Sequence, residues 1–385
     1  MKHIIFINQV TGPLLIDMVN VFAEKNYVVN LYTGEISKTT TDLDKRVLVK
    51  KLTKYKKNNN FYRLSTWIFF TIQVFIYLLI NKKKETILYF SSNPPFVPWL
   101  CLFFKNTTFI HIYDVYPNAL LALSFISKRS IIYKLFLALN KMAFAKSKKV
   151  LTPSMGMKNM LLSSTTDEKI SVIPWWADTK FIRPIDKKEN KFIQKYNLEE
   201  KFVVMYSGNF GLTHNIEKIL NAAKILKDKT DIKFIIIGDG PKRNIVKKFE
   251  NEFKLDNLLI LPFQDEHMLP HSMSASDISV VLDSFSSDRN KESTASIPSK
   301  TYYLMSAGSV IYAESDKTSE LNSLITENNI GFCDDDQNTA GFVRFILECK
   351  DSEDLLNIYK ENSRKTSLNF TQDNAFLLLD EIEEN

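Results

Sequence analysis

The chain has 385 residues, of which 45% are hydrophobic and 24% are charged. A chain of this size can bury about three quarters of its unfolded surface and is expected to form two domains, which excludes a disordered protein. Three cysteines, Cys101, Cys333 and Cys349, include no Cys-x-x-Cys pair, so neither a disulfide framework nor a zinc site is predicted, and a reducing compartment is expected.

The net charge of +6 conceals an asymmetry between the two halves. Residues 1–172 contain 24 Lys and Arg against 9 Asp and Glu, whereas residues 173–385 contain 26 against 35. A basic first half and an acidic second half predict an anionic partner for the first half alone. That partner is either a nucleic acid or the surface of an anionic membrane.

Strands and helices alternate along the first half. The chain enters its first strand almost at once, so no signal peptide is expected. Continuous apolar strands such as Ile4–Ile7 favour a parallel sheet covered by helices, with ligands at the carboxyl ends of the strands. The strands are predicted at His3–Asn8, Val28–Tyr32, Thr86–Phe90, Thr108–Tyr113, Lys149–Leu151 and Ile170–Ile173.

An apolar run at Trp67–Ile80 lies between Arg63 and Lys82–Lys84, with further lysines at positions 50, 51, 54, 56 and 57. The run is shorter than the ~20 apolar residues of a membrane-spanning helix. It is typical of a core helix in a large domain or of an interfacial helix that binds a membrane. A nucleic acid is the weaker partner, because the lysines flank aliphatic side chains rather than aromatic ones spaced to stack bases.

The segment Ile173–Pro184 has no periodicity and lies where the charge balance changes sign, which places the domain boundary there. A second series of strands and helices follows, and helices are expected from about Asp351 onward. The long segment Asp283–Ser296 is predicted to be functional or mobile. The strands of this series are predicted at Phe202–Tyr206, Ile232–Ile237, Leu258–Leu261, Ile278–Leu282 and Ser309–Ala313.

Two glycine-containing turns follow the first two strands of the second series. Ser207-Gly-Asn-Phe-Gly211 precedes a helix and is a candidate cradle for a diphosphate, although it lacks the G-x-G-x-x-G spacing of dinucleotide sites. Ile237-Gly-Asp-Gly-Pro241 is a similar turn. Each motif alone is also compatible with an ordinary tight turn.

The segment Ile297–Ala313 joins a loop to a short helix and a strand. Pro298 and Ser299 open the helix, whose free backbone N–H groups and positive dipole favour an anion. Lys300 adds a full positive charge, and Gly308 ends the helix. The junction therefore predicts a phosphate-binding site.

Together these motifs resemble the retaining glycosyltransferases of family 4. The resemblance rests on the two glycine turns, Pro262-Phe263, Ala275-Ser-Asp-Ile and Pro298-Ser-Lys followed by Met-Ser-Ala-Gly308, in that order. In the first half, Asp114-Val-Tyr-Pro117 and Ile173-Pro-Trp-Trp-Ala-Asp are similar to further motifs of the family. The branch that it resembles builds bacterial O-antigen and capsular polysaccharide and includes N-acetylfucosamine transferases.

The resemblance implies an α/β fold of the GT-B type, with two Rossmann-like domains whose parallel sheets face a cleft. It implies an acceptor domain at residues 1–173, a donor domain at 174–365 and a C-terminal helix at 366–385 that returns to the first domain. A UDP-sugar would be the donor and a polyprenyl-diphosphate-linked saccharide the acceptor, without a metal or other cofactor. The protein would act in the cytoplasm, peripherally on the inner face of the cell membrane, and would bind no nucleic acid.

The resemblance also implies roles for individual residues. Asp114 would orient a hydroxyl or act as a weak base, although a helix N-cap ahead of Pro117 is an equally simple explanation. Lys300 would stabilise the leaving diphosphate. Asn8, Gln9, Gly12 and Asn93 would line the acceptor side, where the first three also suit an ordinary turn. The donor would contact Gly208, Asn209, Gly211, His214, Gly238, Gly240, Pro262, Phe263, Ser299, Tyr303 and Glu320.

The chain departs from the family pattern at the paired glutamates, whose positions hold Ala295 and Tyr303. The Tyr303 hydroxyl or the Glu320 carboxylate would then have to bind the donor ribose. His214 would act either protonated or as a neutral hydrogen-bonding group. Two other hypotheses remain open: a catalytically silent GT-B subunit and a sugar-nucleotide epimerase.

Overall fold

A computed structural model describes residues 1–37, 41–56, 59–122, 126–282, 295–336 and 338–384. Most of the predicted long segment Asp283–Ser296, and Lys57 of the lysine cluster, lie outside the described residues. The chain divides into two compact units. The first unit comprises Met1–Pro174 with Asp373–Asn385, and the second comprises Trp175–Gln372.

The first unit is built on a parallel seven-stranded sheet with the order β5-β3-β1-β6-β7-β8-β9. All six strands predicted from the sequence are confirmed within about two residues at their ends. The additional strand β5 is an exposed edge strand rich in lysine, which hides the apolar pattern of a strand. Strands β2 Val10–Thr11 and β4 Glu35–Ile36 pair in a separate two-stranded sheet. The strands of the seven-stranded sheet are β1 His3–Ile7, β3 Val28–Thr33, β5 Leu48–Lys51, β6 Ile87–Ser91, β7 Thr108–His111, β8 Lys149–Thr152 and β9 Ile170–Val172.

Helices connect these strands. Helix α1 begins with Pro13, which suits a first helical position, and it buries Ile16, Val19 and Phe22 against the sheet. A 3-10 helix spans Val97–Phe103. The α-helices are α1 Pro13–Glu24, α2 Asn60–Asn81, α3 Asn118–Ala122, α4 Ile131–Lys146 and α5 Met155–Leu161.

Helix α2 contains the apolar run and is longer than the sequence suggested. It has 22 residues, enough by length and composition to cross a membrane. Phe70, Val74 and Leu78, spaced by four, form a stripe fully buried against the first unit. Only 22% of the most apolar 18-residue window is buried, so the interpretation as a core helix is wrong. Many of the other apolar side chains of the helix, among them Ile72, Ile76 and Ile80, are exposed.

The second unit contains a parallel six-stranded sheet with the order β12-β11-β10-β13-β14-β15. Its five predicted strands are confirmed, and β15 is additional. The strands are β10 Phe202–Asn209, β11 Ile232–Asp239, β12 Leu258–Leu261, β13 Ile278–Leu282, β14 Val310–Glu314 and β15 Gly331–Asp334. The helices are α6 Lys191–Tyr196, α7 Ile216–Ile225, α8 Arg243–Phe253, α9 Leu269–Met273, α10 Lys300–Ser306, α11 Glu320–Glu327, α12 Thr339–Asp351 and α13 Glu353–Ser367.

The last helix, α14 Phe376–Glu383, belongs to the first unit. The Tyr27 hydroxyl donates to the Glu383 carboxylate at 3.2 Å. Residues 366–372, which the sequence assigned with this helix, remain with the second unit. There the Phe370 ring packs 5.0 Å from the Tyr302 ring, and the Phe370 carbonyl accepts a hydrogen bond from Ala177 at 3.1 Å.

Candidate active site

The two glycine turns of the second unit lie side by side at the carboxyl edge of its sheet. Strands β10 and β11 pair in parallel, with Gly208 opposite Gly238 and Asn209 opposite Asp239. A Cβ atom on Gly238 would lie 1.9 Å from the Gly208 carbonyl oxygen. The close approach of the two backbones therefore requires glycine at this position.

Lys300 is brought to the same edge because β13, which precedes its loop, pairs with β10. Its Nζ lies 4.3 Å from the centroid of the Tyr206 ring and 3.5 Å from the position that a Cβ on Gly208 would occupy. Tyr206 is fully buried within β10, three residues before the strand ends, and was not predicted as a site residue from the sequence. The structure thus places a cation beside the first glycine turn, on the face of an aromatic ring.

His214 folds back onto the turn that contains Gly211. Its Nδ1 lies 3.0 Å from the Asn209 carbonyl oxygen, which also accepts a hydrogen bond from the Tyr206 hydroxyl at 2.6 Å. Burial and the nearby positive charge of Lys300 lower the pKa of His214 below its ordinary value. A neutral imidazole that donates through Nδ1 satisfies this geometry, so the neutral alternative is the one that the contacts favour.

The other predicted donor residues lie at varying places in the same unit. Gly240 lies against Asn209, since a Cβ on Gly240 would be 2.6 Å from the Asn209 side-chain oxygen. Ser299 precedes α10 without a side-chain hydrogen bond to the helix. Pro262 and Phe263 follow β12, with the Phe263 side chain exposed.

Tyr303 and Glu320 were the two candidates to take the place of the carboxylates that are missing at positions 295 and 303. Tyr303 is partly buried and packs against apolar residues that include Ile182, Met273 and Ala307. Glu320 begins α11 and lies close enough to Tyr302 to contribute, after burial, to the raised pKa of that phenol. The assignment of Tyr303 and Glu320 to the donor ribose remains a prediction.

A buried ionic cluster behind the glycine turns was missed by the sequence analysis. The Lys218 ammonium lies 2.9 Å from Asp334 and 3.5 Å from Glu314, and all three side chains are nearly inaccessible to solvent. Asn215 donates to Glu314 at 3.0 Å. These contacts connect the start of α7 to the ends of β14 and β15, and they fix the helix that follows the Gly211 turn. Lys218, Glu314 and Asp334 are far apart in the sequence, so no local pattern predicts that they pair.

Asp114 follows β7 at the carboxyl edge of the sheet in the first unit. The Asp114 and Tyr113 backbone N–H groups both donate to the Ser92 hydroxyl, at 3.4 and 2.9 Å. The side chain is exposed, yet the protein around it desolvates the carboxylate and raises its pKa. Helix α3 begins only at Asn118, so the alternative role of Asp114 as a helix N-cap is wrong.

A buried set of hydrogen-bonded side chains lies next to Asp114. The Tyr89 hydroxyl lies 2.6 Å from His111 Nδ1 and 3.2 Å from the Tyr113 hydroxyl. Burial lowers the pKa of His111 to about 3, so this imidazole is neutral. The group sets the position of Tyr113, the residue that precedes Asp114.

The predicted acceptor residues of the first unit lie at the ends of β1 and β6. The Ser91 hydroxyl donates to the Asn8 side chain at 2.9 Å, and the Gln9 backbone N–H donates to the Asn93 carbonyl at 2.8 Å. The Gln9 side chain is fully buried and donates to the Thr66 carbonyl at 3.0 Å, which ties α2 to β1. Gly12 precedes α1, and within the described part of the chain no atom beyond its two chain neighbours lies within 4 Å of the position for a Cβ. Gln9 is therefore placed as a structural residue, whereas the surroundings of Gly12 are open.

The donor-side arrangement can bind and stabilise an anion. Lys300 supplies a fixed positive charge, and the two glycine turns allow an oxygen-rich ligand to approach the backbone. Among the described residues, no group of three His, Cys, Asp or Glu side chains is placed to hold a metal ion.

Comparison with known proteins relates this chain to glycosyltransferases. Residues 187–366 match the family Glycosyl transferases group 1. The chain is 25% identical over 308 residues to a probable glycosyltransferase, WbjE of Pseudomonas aeruginosa, covering 77% of this chain and 74% of WbjE. It is 24% identical over 247 residues to the putative colanic acid biosynthesis glycosyl transferase WcaI of Escherichia coli, covering 63% of this chain and 59% of WcaI.

The fold is also shared with solved structures. The structure of Anabaena Alr3699/HepE in complex with UDP is similar with a TM-score of 0.74 and 14% identity, and the match covers 100% of both chains. The same protein is also known in complex with UDP-glucose. The second unit thus contains a glycosyl transferases group 1 domain, and the protein is a glycosyltransferase with the GT-B fold.

Proposed function

We propose that the protein transfers a sugar from a UDP-sugar to a lipid-linked saccharide during surface polysaccharide synthesis, at the cytoplasmic face of the membrane. The reaction would retain the anomeric configuration, and an N-acetylamino sugar is the first donor to test. The position of Lys300 beside the Gly208 turn is the observation that carries this proposal. Support comes from similar structures that contain UDP and UDP-glucose, and from a relative named for colanic acid biosynthesis.

In the proposed reaction, the bond between the anomeric carbon and the UDP oxygen breaks, and a bond to an acceptor hydroxyl oxygen forms. Negative charge develops on the leaving diphosphate, so a nearby cation should stabilise the transition state more than the bound substrate. Lys300 is assigned this role, with Gly208, Asn209 and Gly238 allowing the diphosphate to approach the backbone. Asp114 orients the acceptor hydroxyl or takes its proton.

The basic and apolar surface of the first unit supports a membrane-bound acceptor. Ile72, Ile76 and Ile80 are exposed along α2. Lys50, Lys51 and Lys82–Lys84 lie before and after the helix in the sequence. Apolar side chains beside several lysines are the combination that binds an anionic membrane surface.

The test offers a panel of UDP-, GDP- and dTDP-sugars to membranes that contain the protein and measures the nucleoside diphosphate that each donor releases. We expect UDP release that falls about 100-fold or more in Lys300→Ala, the usual effect of removing one group that stabilises a developing charge. Lys317→Ala is the matched control, because Lys317 lies in the same unit with a side chain that is 73% exposed. Equal activity of Lys300→Ala and the native protein would remove Lys300 from the mechanism.

The catalytically silent subunit is the second candidate, and the absence of carboxylates at positions 295 and 303 favours it. Calorimetry with UDP-sugars separates the two, because the silent subunit predicts weak or absent binding of the sugar nucleotide. Binding together with turnover would exclude the silent subunit.

A further inference from the structure

An apolar pocket with a volume of about 330 Å³ lies in the first unit. This volume is at the low end of the ~300–1,000 Å³ that is typical of ligand pockets. Side chains from α2, α4 and the segment between β6 and β7 form most of its wall. The principal lining residues are Trp67, Phe96, Trp99, Leu120, Phe136 and Leu139.

The pocket opens onto the apolar surface of the unit. Leu64, Ile132 and Leu135 line it and are 46%, 61% and 57% exposed. Ile68 and Ile131 continue this surface on the same two helices and are also exposed. A ligand in the pocket would therefore be continuous with whatever covers this surface, which suits a long hydrocarbon chain better than a compact soluble molecule.

Two N–H donors interrupt the apolar wall, one from Arg63 and one from Trp67. Arg63 Nε and Trp67 Nε1 are both buried, and neither has a hydrogen-bond acceptor within the described part of the chain. Buried donors of this kind are normally satisfied. An anionic oxygen on the ligand would satisfy both, and the guanidinium charge would favour a phosphate.

The pocket is also connected to the Asp114 loop. The Trp67 ring lies 6.2 Å from the Tyr116 ring, and Tyr116 in turn lies 6.2 Å from Phe136. Trp67 stacks on Tyr55 at 6.2 Å with nearly parallel planes. Tyr55 lies within electrostatic reach of both Arg63 and Asp114. The apolar pocket, the Arg63 guanidinium and the proposed acceptor residue are therefore neighbours within one unit.

We propose that this pocket binds the isoprenoid chain of the lipid-linked acceptor, with the diphosphate at Arg63 and the sugar directed toward Asp114. The inference rests on the proposed function, because it assigns a subsite to the acceptor named there. The cationic and unsatisfied donors at the pocket favour an anionic lipid over an apolar protein segment. Their proximity to Asp114 favours the acceptor over an ordinary acyl chain of the bilayer.

The first test needs no substitution. Binding of isopentenyl, geranyl and farnesyl diphosphate to the full chain is measured by calorimetry, with inorganic diphosphate as the comparison. Each added isoprene unit should strengthen binding at least tenfold, since burial of about two of its five carbons already suffices for that factor. Equal affinity for inorganic diphosphate and farnesyl diphosphate would overturn the proposal.

The second test fills the pocket. Leu139→Trp should weaken farnesyl diphosphate binding at least tenfold, whereas Met142→Trp, on an exposed position of the same helix outside the pocket, should not. Both variants should still sediment with phosphatidylglycerol vesicles, because the exposed face of α2 is unchanged. Parallel loss of vesicle binding and farnesyl diphosphate binding in Leu139→Trp would assign the pocket to bilayer lipid and overturn the proposal.

These measurements contain no nucleotide-sugar. Chain-length-dependent binding together with absent UDP release would contradict the proposed function and leave the pocket assignment standing. UDP release without any dependence of binding on chain length would support the proposed function and contradict the pocket assignment.

Discussion

Replacement of Ile72, Ile76 and Ile80 by glutamine should detach the protein from anionic membranes. The three side chains are spaced by four along α2 and lie on one face of the helix. They are 48%, 48% and 71% exposed, so the substitutions leave the buried stripe of Phe70, Val74 and Leu78 intact. Folding should therefore be preserved while the apolar surface is removed.

The expected magnitude follows from the exposed area. Burying a whole isoleucine side chain contributes ~1.5–3 kcal/mol, so about half of each side chain is worth about 1 kcal/mol. Three such side chains together contribute about 3 kcal/mol, which corresponds to an affinity loss of about 100-fold. The lysines before and after α2, each worth about 1 kcal/mol near an anionic surface, would sustain the residual binding.

The assay is co-sedimentation with phosphatidylglycerol vesicles at low and high salt. A matched control replaces Ile225, Ile245 and Ile358 by glutamine, since these three isoleucines lie on helices of the second unit and are 58%, 43% and 49% exposed. Only the α2 variant should lose binding. If both triple variants sediment like the native protein, α2 is not the membrane contact.

Two further predictions concern the frameworks of the two candidate sites. Gly238→Ala should destabilise the second unit by at least ~1–3 kcal/mol, because φ is +147° and the new Cβ would overlap the Gly208 carbonyl. Urea unfolding is the measurement, and the control Gly12→Ala should show no comparable loss. Equal urea midpoints for Gly238→Ala and the native protein would contradict the geometry. His111 is neutral in the folded state with a pKa of about 3, below its ordinary value of 6.5, so the unfolded state binds more protons between these values and stability should fall as the pH decreases through that window. This loss of the free energy of unfolding approaches about 1.4 kcal/mol per pH unit, and His111→Gln should not show it between pH 6.5 and 5. Identical slopes of unfolding free energy against pH for His111→Gln and the native protein would show that His111 is not buried as described.

The alternation of strands and helices and the positions of the glycine turns could be predicted from the sequence. These features depend on local patterns, namely continuous apolar strands, proline and glycine punctuation, and helix-starting residues. The motif order at Ser207–Gly211, Ile237–Pro241 and Pro298–Gly308 was also sufficient to predict a glycosyltransferase of GT-B fold, which the comparisons confirm.

Which distant residues come into contact could not be predicted from the sequence and follows from the pairing of the strands. Lys300 reaches Tyr206 and Gly208 because β13 pairs with β10, an adjacency that no local pattern records. The cluster of Lys218, Glu314 and Asp334 likewise depends on parallel pairing between distant segments. Whether α2 is buried could not be determined from hydrophobicity, since an apolar helix suits a core as well as a membrane surface. The answer came from packing, because the rest of the first unit covers one stripe of the helix and leaves many of the other apolar side chains exposed.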